Sequence, residues 1–201
     1  MIDQPFKTTE CKTSHTIRTP VVLLLLVTLI VGGLYPLVVT LVSQLLFPTN
    51  ANGSLVIVDN KVVGSRLLGQ QFTHPNYFWG RLSATSPAYN AASSSGSNLS
   101  PANPKLLEVV NECIAQLKKI DPTNKAPIPV DLVTASASGL DPHISPDAAY
   151  YQMKRIAKAR KLKEDEVRLL IQQHTEHRML GFLGEPRVNV LELNLALDAL
   201  K

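Results

Sequence analysis

From Thr19 to Val58, forty consecutive residues carry no charged side chain, and the stretch from Val21 to Phe47 is dense in Leu, Val and Ile. A run this long and apolar exceeds what the core helix of a small soluble domain requires, and it reads as a membrane span. The 27 residues from Val21 to Phe47 would rise about 40 Å as a helix at ~1.5 Å per residue, against a hydrocarbon core roughly 30 Å thick. Of the 19 residues from Val21 to Val39, 14 are Leu, Ile or Val. Each favours insertion by about 0.3–0.6 kcal/mol near the bilayer centre, some 4–8 kcal/mol together. That outweighs the weaker positions Thr28, Gly32, Gly33, Tyr35 and Pro36. The expected architecture is α+β: one N-terminal transmembrane helix followed by a small mixed α/β extracytoplasmic domain. The expected boundaries are a short cytoplasmic N-terminus at 1–19, the span at 20–47 and the polar domain at 48–201.

A cleaved signal peptide is the competing reading. Its apolar region runs 7–15 residues and closes on a small-x-small site; here the run is about twice that, and no such site precedes Phe47. Orientation follows from Lys7, Lys12 and Arg18 before the span against Lys61 alone shortly after it. The excess of basic residues places the N-terminus in the cytoplasm. Within the span, Pro36 lacks an N–H and its ring disturbs the hydrogen-bond ladder around Gly32. Gly32, Gly33 and Pro36 can be a tolerated kink, or a smooth surface where another helix approaches closely.

The formal charge of +4 is mild, and much of it sits at Lys154, Arg155, Lys158, Arg160, Lys161 and Lys163. On a helix beginning near Pro146 these fall mostly on one solvated side, opposite Ala148, Ala149, Met153, Ile156, Ala157 and Leu162. No aromatic interleaving or nucleic-acid module accompanies them, so no nucleic-acid partner is expected. Cys11 and Cys113 fall on opposite sides of the membrane in this topology and form no disulfide. The five histidines are scattered; His174 and His177 fit one helical face, but two ligands do not make a metal site, and none is expected. Asn52 and Asn98 begin Asn-x-Ser sequons.

Local signals place the remaining elements. Leu55–Val58 and Val62–Leu68 form a hairpin around Asp59-Asn60-Lys61, and a short strand is expected at Tyr77–Arg81. Residues 83–103, rich in Ser, Ala, Asn and Pro, form a long loop, a kind that is commonly functional or flexible. Asn103-Pro104 opens a helix reaching Lys119. Pro122–Pro129 is an extended connector to a strand at Val130–Ala135. Ser145-Pro146 caps the next helix, and two more run over Glu164–His174 and Asn189–Leu200.

The segment Ser136-Ala137-Ser138-Gly139-Leu140-Asp141-Pro142-His143-Ile144-Ser145 gathers hydroxyls, a carboxylate and an imidazole before a helix. A Ser138–His143–Asp141 triad is one reading. Such arrays are normally assembled from distant segments, and no Gly-x-Ser-x-Gly elbow is present. A hydrogen-bonded turn and helix cap is the other reading, and no catalytic residue is assigned. Phosphate at the helix N-terminus is physically reasonable, but no Gly-Lys-Ser/Thr triplet occurs.

The chain resembles the C subunit of the Kdp potassium-transporting P-type ATPase from about Arg18 to Asp198. The strings that carry the likeness begin with Gly33-Leu34-Tyr35-Pro36-Leu37, Ala51-Asn52-Gly53-Ser54-Leu55, Tyr77-Phe78 and Gly80-Arg81. They continue with Gly96-Ser97-Asn98-Leu99, Pro129 to Asp141, Arg155-Ile156-Ala157 and Val188 to Asp198. Leu82 departs from the Pro expected after Gly-Arg. The resemblance implies an accessory, non-enzymatic subunit of a high-affinity ATP-driven potassium import complex in the cell (inner) membrane. Its implied roles are to assist assembly and to act as a catalytic chaperone that raises the ATP affinity of the P-type ATPase subunit. Implied partners are that subunit, a channel-like potassium-binding subunit, a small accessory membrane peptide and the lipid bilayer. No tightly bound cofactor is implied; ATP would be met through a transient complex with the pump subunit. Nucleotide contacts are implied at Ser138, Gly139, Asp141 and Gln152, which have been likened to an ABC-transporter signature. An extracytoplasmic domain cannot touch cytoplasmic ATP, so coupling would run through the membrane or indirectly. The rival class is a membrane-tethered exported binding domain or hydrolase acting alone.

Overall fold

A computed structural model describes residues 13–200, with side chains from residue 17; Lys7, Cys11, Lys12 and the side chain of His15 lie outside the described residues. The chain divides into two units, Met1–Asn52 and Gly53–Lys201.

In the first unit, α1 (Thr13–Leu29) continues through a π-helical turn (Ile30–Leu34) into α2 (Tyr35–Leu46). Ile17–Leu46 is long and apolar enough to cross a membrane, and its side chains are unburied. The disturbance expected at Pro36 takes a specific form. The Tyr35 N–H donates to the Ile30 carbonyl, five residues back, so the helix absorbs the missing proline donor by widening one turn. A side chain built on Gly32 or Gly33 meets nothing within 4 Å; the unit itself does not require glycine there. Phe47 leaves helical geometry (φ −134°, ψ 57°), ending α2, and the short α3 (Pro48–Ala51) follows. The amide of Asn52 then donates to the Pro48 carbonyl and bonds the Gln44 side chain.

The second unit opens with the expected hairpin, β1 (Leu55–Val58) and β2 (Lys61–Ser65). Asp59 and Asn60 both adopt positive φ, the two-residue turn whose twist matches paired strands. The second strand is shorter than expected. Ser65 Oγ donates to the Gly53 carbonyl and accepts from the Leu67 N–H, which turns the chain out of the ladder. Residues 83–103 form the expected long loop without regular elements.

Helix α4 (Pro104–Ile120) starts at Asn103, whose side chain accepts from the Lys105 N–H. Helix α5 (Pro146–Arg160) starts at Ser145, which accepts from the Ala148 N–H. Helices α6 (Glu164–Gln173) and α7 (Val190–Ala199) follow; Asn189 caps α7 through the Glu192 N–H. Three very short strands, β3 (His143–Ile144), β4 (Thr175–Glu176) and β5 (Arg187–Asn189), make an antiparallel sheet ordered β3-β5-β4. The core gathers on α5, where Ala148, Ala149, Ile156 and Ala157 meet Val167 and Ile171 of α6, Leu193 and Leu197 of α7, and Phe78. Small residues on α5 let the neighbouring helices approach closely.

Four expectations are corrected. Val130–Ala135 is not a strand: Val130–Leu132 is a 3-10 turn, and only Ala135 pairs, in an isolated parallel bridge with Leu82. Tyr77–Arg81 is not a strand either, because the side-chain amides of Asn194 and Gln152 take the backbone hydrogen bonds of Phe78 and Trp79. The basic stripe on α5 is not wholly solvated, because Arg155 is buried and Arg160 nearly so. His174 and His177 do not share a helix, since α6 ends at Gln173 and the His174 ring bonds the Leu170 carbonyl.

Candidate functional site

The turn Ser136–Asp141 is held by the long loop rather than left open. Ser136 Oγ accepts from the Gly139 N–H, and Ser138 Oγ from the Leu140 N–H. Ser83 Oγ donates to the Gly139 carbonyl at 2.7 Å. The Ser138 carbonyl accepts from the Ser95 N–H and Ser94 Oγ. Gly139 sits at φ +68°, a conformation glycine adopts without steric cost. A side chain there would lie 2.6 Å from the Thr85 methyl and 2.8 Å from the Ser95 carbonyl. Ser138, Gly139 and Asp141 are therefore brought together, in a turn whose hydroxyls bond within it and whose Ser138 and Gly139 carbonyls are engaged by loop 83–96.

Asp141 anchors the turn electrostatically. Its Oδ2 is 3.2 Å from Arg81 Nη1, while Oδ1 accepts from the His143 N–H and lies 3.4 Å from His143 Nδ1. Burial opposes its charge, but the hydrogen bonds from His143 and Arg81 prevail and hold its carboxyl below the usual range. No Ser138–His143 hydrogen bond occurs among the described residues, so the triad geometry does not form.

Beside this turn lies a cavity of about 250 Å³, lined by residues that include Trp79, Arg81, Tyr89, Cys113 and Gln116. Arg81 Nη2 donates to the Ala135 carbonyl, and its buried Nε has no protein partner. Tyr89 donates its hydroxyl to the Arg81 carbonyl at 2.6 Å. Burial, with Asp141 reinforcing it, pushes the Tyr89 phenol up to about 12. Burial, aided by Glu112, likewise pushes the Cys113 thiol up, which leaves it a poor nucleophile. Because the folded Tyr89 resists ionisation, its contribution is intact below pH ~10, the ordinary value, and declines as pH rises toward ~12. A tyrosinate absorbance titration of the folded chain should show a late phase near pH 12 that Tyr89→Phe removes.

Gln152 stands elsewhere. Its side chain is buried, accepting the Trp79 N–H at 2.8 Å and donating to the Trp79 carbonyl at 3.1 Å. Asn194 of α7 does the same for Phe78, at 2.8 and 3.0 Å. Two side-chain amides thus supply the hydrogen bonds that a neighbouring strand would supply, so Phe78 and Trp79 need no strand partner. Arg155 completes the clamp. It donates to Gln152 Oε1 and to the carbonyls of Pro75 and Tyr77, and it stacks on Trp79 at 5.1 Å. Burial pushes its guanidinium down to about 10, with Asp121 opposing that effect. The hydrogen bonds of Gln152 and of the 136–141 turn have no partner in common.

Periodicity does not reveal the structural roles of Arg155 and Asn194. Their signal was a polar residue inside an apolar helical pattern, as in Leu193-Asn194-Leu195. Among the described residues, no group of three or more His, Cys, Asp or Glu is placed to hold a metal ion.

Comparison with known proteins is consistent along nearly the whole chain. The family model described as KdpC, K+-transporting ATPase, c chain, matches residues 17–199. The potassium-transporting ATPase KdpC subunit of Methylococcus capsulatus is 60% identical over 184 residues, 90% of this chain and 97% of that protein. Proteins of the same name from Dechloromonas aromatica and Herpetosiphon aurantiacus are 57% and 56% identical. They cover 91% and 92% of this chain, and 96% of each relative is matched.

Proposed function

Because this chain belongs to the KdpC family, the c chain of K+-transporting ATPases, and so is a component of a potassium import complex, we propose that it is a non-catalytic subunit acting by contact. The observation that carries this reading is the engagement of its suggestive polar groups within the fold. Gln152 and Arg155 clamp the Phe78–Trp79 backbone, Asp141 is ion-paired with Arg81, and Ser138 is bound into its own turn. Side chains so engaged position backbone; they are not free to attack or to ligate.

In the proposed arrangement the N-terminus is cytoplasmic and the domain extracytoplasmic. The open Gly32–Gly33 surface of the span receives a helix of a neighbouring subunit, since small residues let backbones approach. The domain covers the ion entrance of the channel-like subunit. Any rise in the ATP affinity of the P-type ATPase subunit travels through the span, with the domain making no nucleotide contact. Such coupling requires different contacts in two states of the pump.

The test compares complexes containing the full chain, a chain ending at Asn52, and Gly33→Leu. The shortened chain should still co-purify but lower the apparent potassium affinity by about fivefold or more, the scale of ordinary coupling. Gly33→Leu should reduce co-purification, because its own unit has room for the side chain. Unchanged potassium and ATP dependence without the domain would overturn the proposed role. Activity of the chain by itself would favour the lone hydrolase reading.

A further inference from the structure

The uncharged run does not stop where the span stops. It continues past Leu46 through α3 and the whole of β1, ending only at Asp59. The first strand of the domain is thus as uncharged as the membrane helix before it. In the hairpin, Val56 pairs with Gly64, where an added side chain would meet Leu191, and the Val63 carbonyl accepts from Gln70. That side belongs to the domain. Leu55, Ile57 and Val62 are instead 49%, 61% and 60% exposed, with Ile57 directly opposite Val62. A two-stranded apolar surface of this kind is an association hazard in water.

The covalent chain limits what can cover it. Eight residues lie between Leu46 and Leu55, a reach of about 30 Å if fully extended, and the helical turn of α3 shortens it further. The hairpin therefore cannot lie farther than that from the end of the span, whichever side the domain occupies. We propose that the β1–β2 hairpin rests in the interfacial layer of the bilayer, with Leu55, Ile57 and Val62 against lipid. Lys61 at the turn has a long apolar stem that lets its ammonium stay among the headgroups. The partner is lipid rather than another protein because the surface continues the uncharged character of the span and lies within its tether. This inference is independent of the proposed subunit role.

The test uses the full chain in vesicles of phosphatidylcholine and phosphatidylglycerol, with Cys11 and Cys113 replaced by Ala. A single cysteine at Ile57 or Val62 carries an environment-sensitive fluorophore, and L169C, an exposed site on α6, is the control. The labels at I57C and V62C should shift to the blue, be quenched by lipids bearing a shallow nitroxide, and lose quenching by aqueous iodide. Iodide quenching equal to that at L169C would overturn the proposal. So would labels that lipid nitroxides reach neither in the chain alone nor in the assembled complex, the result expected if protein covers the hairpin.

Discussion

Replacing Gln152 with Leu should destabilise the second unit by about 3–5 kcal/mol, since several buried polar groups lose their partners at once. The Trp79 N–H and carbonyl would both face an alkyl group, and Arg155 would lose its only side-chain acceptor among the bonds described, Gln152 Oε1. Leu leaves no cavity, so lost hydrogen bonding is the main part of the effect. Thermal unfolding of the full chain in detergent should shift down by ~10 °C or more. Gln152→Glu should fall between Leu and the native residue. A carboxylate still accepts from Trp79 and Arg155 but cannot donate to the Trp79 carbonyl. A shift within experimental error for Gln152→Leu would mean that Trp79 and Arg155 find other partners and that the amide does not set this segment.

Gly139→Val should be nearly as damaging, by about 3–5 kcal/mol, combining left-handed backbone with overpacking. The backbone is at φ +68°, and the new Cβ would be driven against Thr85, the Ser95 carbonyl and Ser83 Oγ. The loop cannot yield without giving up the hydrogen bonds from Ser83, Ser94 and Ser95 to the turn. Limited proteolysis should then reveal new cleavage near Ser94–Ser97. Gly181→Ala is the contrast. It also has positive φ, at +81°, but nothing lies within 4 Å, so only the conformational penalty of about 1 kcal/mol should remain. Equal losses at the two positions would show that backbone conformation, and not the loop's contact, governs Gly139.

The elements most legible in the sequence were those with their own local cause. Asn103-Pro104 and Ser145-Pro146 announce helix starts because an oxygen acceptor beside a proline already satisfies the first turn. Asp59-Asn60 announces a hairpin because both residues tolerate positive φ. The errors share one cause. Tyr77–Arg81 and Val130–Ala135 have strand-like composition, yet a strand needs a partner, and composition does not specify one. For Phe78 and Trp79 the partners are amides 116 and 73 residues away. Charge alone argues for exposure of Arg155; the carbonyls of Pro75 and Tyr77 that accept its hydrogen bonds lie in a distant loop.

The candidate site divides along the same line. Its turn residues were visible as a cluster because Ser136, Ser138, Gly139 and Asp141 are adjacent in the chain. Their engagement was not visible, since Arg81, Ser83, Thr85 and Ser95 reach them only once loop 83–103 folds back. Sequence by itself determined the apolar helix, the capped helices, the hairpin turn and the family. Each of these depends on nearest neighbours, on periodic hydrophobicity or on strings shared with relatives. Only tertiary structure decided which polar groups were consumed in building the domain, because a hydrogen bond between remote segments depends on distance in space, and separation along the chain carries no record of it.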